Sequence, residues 1–214
     1  MKIATKDLII LEEIITLTNQ RAAFWKQEKA LILSDLHIGK TAHFRKNGIA
    51  LASHIMKNDL DRLSILIEFF KPEQLIIVGD LLHAGNNSDV DEFCHWKDQY
   101  PDIQFKLIEG NHDRISKNLE KKLNLDFKAE IANIRDISFV HDFDKKNKDF
   151  QITGHIHPGY SLKSPIKNIK LPCFVKTDHQ LLLPAFSDFT GLDTRNIPKK
   201  GQFYIFTDTD IYEV

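Results

Sequence analysis

A chain of 214 residues with 42% hydrophobic and 28% charged residues can build a sizeable core, which excludes disorder and suits a single domain over residues 1–214. A net charge of −1 and a pI of about 6.8 exclude a global positive field that would hold nucleic acid or an anionic membrane, so any anionic substrate must be attracted locally. The two cysteines, Cys94 and Cys173, lie far apart and outside any CxxC pair, which excludes a disulfide framework and a thiolate metal site.

The apolar stretch from Leu8 to Leu17 is broken by Glu12 and Glu13 and lacks a small-residue cleavage site, so it reads as neither signal peptide nor membrane span. A cytoplasmic protein with no membrane partner is expected. The segment up to Trp25 is β-rich. From there one pattern recurs five times: a short apolar run of strand length stops abruptly at a polar cluster. The runs are Ala30 to Leu33 before Ser34-Asp35, Leu75 to Val78 before Gly79-Asp80, Phe105 to Ile108 before Glu109-Gly110-Asn111-His112, Ile137 to Val140 before His141-Asp142, and Phe150 to Ile152 before Gly154-His155. Continuous apolar runs of this length suit strands buried on both faces, and their polar ends would collect at one sheet edge.

Between the first two runs, Ile55, Leu63, Leu66, Ile67 and Phe70 form a helical stripe within Leu51 to Phe70, with Pro72 as a stop. Ser88 reads as the N-cap of a short helix through Val90, Phe93 and Trp96, with Asp89 and Asp91 in its first turn. Ile115, Leu119 and Leu123 mark a third, more basic helix. The segment from Gln202 to Tyr212 is again β-rich. Two packed sheets flanked by helices, an α/β architecture, is the economical arrangement.

Divalent ions that activate water need carboxylates and neutral imidazoles on rigid supports, with coordination positions left open. The strand ends supply that set. Asp35 and His37 are two apart, so an extended segment would point both to one face, and His155 and His157 have the same relation. Asp80 follows Gly79, where the backbone can approach closely, and is the natural bridging ligand. Taken singly, an Asp-x-His is an ordinary solvated turn, Asn111 a turn residue and His141 a hydrogen-bonded core histidine. What distinguishes them is that five strand ends in succession each deliver a suitable residue. Beyond the ligands, His83 lies close enough after Asp80 to reach the site. Arg45 follows the first cluster, and its guanidinium suits bidentate phosphate contact, so both are candidate substrate-binding residues.

The segments Ser34-Asp35-Leu36-His37, Gly79-Asp80, Gly110-Asn111-His112-Asp113, His141 and Gly154-His155-Ile156-His157 resemble, in order, the motif set of the calcineurin-like metallophosphoesterases. The resemblance implies a four-layer αββα sandwich with two mixed β-sheets and two divalent ions at the sheet edge. Asp35, His37 and His157 would hold one ion and Asn111, His141 and His155 the other. Asp80 would bridge them, and His112 would sit over the substrate as general acid, with Asp113 orienting it or capping a helix. Two further stretches, from His37 to Ile49 and from Leu183 to Gly191, are similar to the ligase-associated branch of that family. That branch implies a manganese-preferring phosphodiesterase, a DNA endonuclease in bacterial DNA repair, with a DNA ligase, a helicase and a nuclease as partners. The donor set also admits iron, zinc or cobalt. Hydrolysis of small nucleotides or other soluble phosphodiesters is the competing activity. A catalytically dead binding module is a third reading, disfavoured by the intact Asn111-His112 and ligand set.

Overall fold

Every residue of Ala30–Leu33 is buried, and alternate side chains enter two different cores: Leu31 and Leu33 one, Ala30 and Ile32 the other. The computed structural model describes residues 1–41, 48, 54–83, 85–163 and 167–214. Its first sheet runs β1 (Thr5–Ile10), β2 (Glu13–Thr18), β3 (Ala23–Trp25), β4 (Ala30–Leu33), β5 (Gln74–Val78), β6 (Gln104–Ile108) and β7 (Phe127–Ala129) in spatial order. Strands β1 to β4 pair antiparallel, and β4 to β7 parallel. The second sheet is ordered β15 (Ile211–Glu213), β14 (Gln202–Phe206), β12 (Asn168–Lys176), β13 (Gln180–Leu182), β10 (Phe150–Thr153), β9 (Ile137–Val140) and β8 (Ile131–Ile134). A further strand, β11 (Gly159–Lys163), forms a hairpin with β12, and β9, β10 and β13 are mutually parallel. Both sheets are therefore mixed, as expected.

Three helices are described: α1 (His54–Phe70), α2 (Ser88–Lys97) and α3 (Lys117–Leu123). Residues 51–53 of the expected first helix lie outside the described residues. Leu63 and Leu66 of α1, Phe93 and Trp96 of α2, and Leu119 and Leu123 of α3 share one cluster with Leu31, Leu75, Phe105 and Leu107 of the first sheet. Helix α1 stops where Lys71 turns left-handed (φ 49°) just ahead of Pro72. The N-cap of α2 is Asn87, one residue before the expected Ser88: its Oδ1 accepts from the N–H groups of Asp89 (2.9 Å) and Val90 (3.3 Å).

A second core lies between the sheets, where Ile32, Ile76, Val78 and Ile108 meet Phe139, Ile152, Phe174 and Leu181. Fully burying each such side chain is worth about 1.5–3 kcal/mol, so the sandwich interface is a main source of stability. The outer face of the second sheet carries a smaller cluster of Cys173, Val175, Leu182 and Ile205, with Ile156 and Tyr160 packed on it. The three described helices pack their apolar faces into the core on the first sheet. No described helix is long and apolar enough to cross a membrane.

The carboxyl ends of β4, β5 and β6 meet those of β9 and β10. Beyond the strands the chain stays zipped: the N–H groups of Asp35, His37 and Ile38 donate to the carbonyls of Gly79 (3.0 Å), Asp80 (2.9 Å) and Leu81 (2.8 Å). On the other side of β4, the N–H of Phe186 donates to Ser34 O (2.8 Å), seating the segment after β13 against the same strand end.

Candidate metal centre

Asp35, His37, Asp80, His155 and His157 all have left-handed backbones, with φ of 55°, 49°, 50°, 72° and 53°. The extended geometry expected for the two x-x pairs is thus absent, yet the pairs still converge, because both members turn the same way. Asp and His are among the few L-residues that tolerate this region, and clusters of such conformations mark functional sites. Asp35 Oδ1 lies 3.8 Å from His37 Nε2 and 3.1 Å from His157 Nε2, and the two imidazole nitrogens are 3.3 Å apart. Asp80, His141 and His155 form a second triplet, with Asp80 Oδ2 3.4 Å from His141 Nε2. In each triplet the ligand-capable atoms lie within 4.8 Å of one another. The triplets adjoin: His37 Nε2 is 3.9 Å from Asp80 Oδ2, and His141 Nε2 is 4.0 Å from Asp35 Oδ1.

Three of these side chains divide their atoms between positioning and display. Asp35 Oδ2 accepts the N–H of His155 (3.1 Å), while its buried Oδ1 has no hydrogen-bond partner. Asp80 Oδ1 accepts the N–H of His112 (3.0 Å), leaving Oδ2 toward His37 and His141. His141 Nδ1 donates to Val78 O (2.9 Å), which turns the buried Nε2, without a hydrogen-bond partner, toward the site. A buried polar atom without a partner costs about 1–3 kcal/mol. Two of them aimed into adjoining triplets of carboxylate and imidazole are what divalent cations would satisfy.

Burial pushes His37 down to about 4, against the pull of Asp35 and Asp80, so its imidazole is neutral at physiological pH, as a ligand must be. Burial also opposes charge on Asp80 and His141, but their mutual attraction is stronger. It holds Asp80 near 2, helped by the N–H of His112, and lifts His141 to about 9, so an ion binding at His141 would have to displace its Nε2 proton.

Two glycines are required by this crowding. A Cβ on Gly79 (φ +81°) would collide with the His141 ring, and one on Gly110 with the Asp80 carboxylate and backbone. Asn111 and His112 follow Gly110 and are exposed. Asn111 lines a cleft of about 530 Å³ shared with His141 and His155, and also a second of about 330 Å³ shared with His83, His112 and Arg114. The His112 ring lies edge-on to His37 (5.7 Å between centroids) and stacks on His83 (5.5 Å), so His83 does reach the site. Arg45 lies outside the described residues.

Asp113 neither orients His112 nor caps α3. It is buried, its Oδ1 and Oδ2 accepting the N–H groups of Leu82 (2.9 Å) and Gly110 (2.9 Å), and Ser116 is the cap. Burial lifts its carboxyl to about 6 against those hydrogen bonds. Its role is to tie the loop after β5 to the loop after β6. Arg114, which lines both clefts, went unmarked in the sequence because a lone arginine makes no pattern. A similar support holds His157: the Asp193 N–H donates to His157 O (2.9 Å), and the Asp193 carboxylate accepts from Arg195 N (2.7 Å) and Asn196 N (3.0 Å).

A family model described as calcineurin-like phosphoesterase matches residues 29–188. Among solved structures, the Pseudomonas putida nuclease MPE is similar over 94% of this chain and 96% of its own, at 27% identity and a TM-score of 0.81. The E. coli phosphoesterase Yfce is similar at 15% identity over 86% of this chain and 97% of that one, with a TM-score of 0.47. No curated protein matches the sequence significantly.

Proposed function

We propose that this chain, which belongs to the calcineurin-like phosphoesterase family and is a metal-dependent phosphoesterase, hydrolyses phosphodiester bonds in DNA as an endonuclease with two bound divalent ions. The observation that carries the two-ion reading is the pair of buried, unpartnered ligand atoms, Asp35 Oδ1 and His141 Nε2, each in its own triplet. Asp35, His37 and His157 would hold one ion and Asn111, His141 and His155 the other, with Asp80 shared between them. When bound, the ions supply Lewis acidity that offsets phosphate charge and makes water nucleophilic near neutral pH. Manganese is our first assignment, from the resemblance to the ligase-associated branch, while the mixed oxygen and imidazole donors equally admit iron, zinc or cobalt.

The residues themselves do the rest. His112, exposed at the mouth and braced on His83 and His37, donates a proton to the departing oxygen, a contribution of about 10²- to 10⁴-fold. The Asp80 carboxylate fixes the loop that carries it. DNA as substrate is supported by the likeness to a nuclease over 94% of the chain. The stretches from His37 to Ile49 and from Leu183 to Gly191, by their resemblance to the ligase-associated branch, support work in DNA repair beside a ligase, a helicase and a nuclease. We assign the chain a cytoplasmic location and one domain over its length, consistent with two free cysteines and a core shared by both sheets.

Metal-stripped protein, then protein resupplied with manganese, is assayed on circular single-stranded DNA and on bis(p-nitrophenyl) phosphate. Two ions per chain and metal-dependent opening of the circle are expected. Undiminished hydrolysis after complete metal removal would overturn the mechanism. Hydrolysis of small diesters alone would move the substrate to soluble nucleotides.

A further inference from the structure

Two clefts open from the metal centre and meet at Asn111, and their charges differ. The larger, beside His141 and His155, is lined by the carboxylates of Glu109, Asp113, Glu130 and Asp142, of which Glu109 is paired with Lys128 and Asp113 is bound to backbone N–H groups, with Arg114 as its cation. The smaller is lined by Leu82, His83, Gly85, Asn111, His112 and Arg114, with no carboxylate among the described residues. Arg114 is exposed, and among the described residues it makes no ion pair. Its backbone is well held: its N–H donates to His112 O (2.8 Å), and the neighbouring Asp113 ties the turn to Leu82 and Gly110.

A polynucleotide differs from a small diester in carrying a further negative phosphate on each side of the scissile one. In the larger cleft that charge would meet Glu130 and Asp142 beside Arg114, whereas in the smaller cleft the Arg114 guanidinium, with bidentate donors and no ion pair among the described residues, would meet it with no carboxylate in the lining. The smaller cleft also contains His112, the proton donor, so it lies on the side from which the leaving oxygen departs.

We infer that the cleft between His83 and Arg114 is the subsite for the flanking phosphate on the leaving-group side of a polynucleotide, with Arg114 as its cation. This rests on the polynucleotide reading given above. The subsite acts on substrate already committed to the metal centre, so it tells long substrates from short ones without taking part in the chemical step.

The test compares wild type, Arg114→Ala and Arg114→Lys on a single-stranded oligonucleotide and on bis(p-nitrophenyl) phosphate, across a range of salt, with metal content and Tm measured for each. Arg114→Ala is expected to lose about 10- to 100-fold in kcat/KM on the oligonucleotide, the size of one charge-assisted contact, and little on the aryl diester. Its log–log salt slope should fall by about 0.7, one phosphate contact on a single strand. Arg114→Lys should keep the slope and recover part of the rate. Equal losses on both substrates, or an unchanged slope, would overturn the subsite. So would a rise in oligonucleotide hydrolysis on Glu130→Gln, which would place the chain in the larger cleft. A wild type that hydrolyses the aryl diester but no oligonucleotide would instead overturn the polynucleotide reading itself.

Discussion

His112 and Asn111 are neighbours on one exposed turn, but the histidine ring is turned to His37 and His83 while its backbone is bound to Asp80. His112→Ala should therefore leave both ions bound. Its effect should depend on the leaving group: small on bis(p-nitrophenyl) phosphate, whose nitrophenolate departs unprotonated, and up to about 10²- to 10⁴-fold on a nucleotide diester. Measuring kcat/KM on both substrates and counting metals in both proteins checks this. Equal losses would indicate charge stabilisation, and a lost ion would make His112 a ligand. A second prediction at this scale concerns acid. Backbone N–H groups of Asn196 and Arg195, with the Asn196 side chain, hold Asp193 down to about 2. Its stabilising contribution is present above the unfolded carboxylate value of about 3.8 and is lost as pH falls through about 2. Between about pH 4 and 2 the melting temperature of Asp193→Asn should fall less steeply than that of wild type. Parallel curves would show that the carboxylate charge has no role.

The strand-end loops form a second level, at which glycine decides whether ligands can assemble. Gly110→Ala would drive a methyl into Asp80, a member of one triplet whose Oδ2 lies 3.9 Å from His37 of the other. The expected result is weakened binding of both ions in manganese titrations, with a smaller effect on folding, since the surrounding strands stay paired. An unchanged stoichiometry and affinity would show that the loop yields. This level was the most legible in the amino-acid pattern. Runs such as Leu75 to Val78 are buried on both faces and stop at a polar residue, so both the strand and its chemistry could be read. What escaped depended on contacts distant in sequence. Asp113 is an ordinary turn residue until the loop after β5 comes within reach, and Asn87 captures N–H groups that Ser88 was expected to cap. The left-handed angles of the ligands leave no trace in residue type beyond the choice of Asp and His. The β11–β12 hairpin was equally hidden, because the mixed residues Gly159–Lys163 and Asn168 to Leu171, ranging from buried to exposed, show neither a continuous apolar run nor a clean alternation.

At the scale of the whole molecule, each triplet draws on both sheets. Asp35 and His37 follow β4 while His157 follows β10, and Asp80 follows β5 while His141 and His155 follow β9 and β10. An ion bound in either triplet is therefore a crosslink between the two halves of the sandwich. Saturating one site at a hundred times its Kd should stabilise the fold by about 2.7 kcal/mol, which in a chain of this size raises Tm by roughly 5–10 °C. Calorimetry with and without chelator measures the shift. No shift would mean that the sheets are held at full strength without the ions.

The same division has a consequence in time. The residues that begin the two triplets are made early in synthesis, but no triplet is complete until His155 and His157 have left the ribosome, some 120 residues after Asp35 and His37. A nascent chain halted before β10 carries Asp35, His37 and Asp80 without the imidazoles that close either triplet. The nuclease activity proposed here would thus be withheld from every copy that stops short of His157, and would arise only once β9 and β10 have docked on the first sheet.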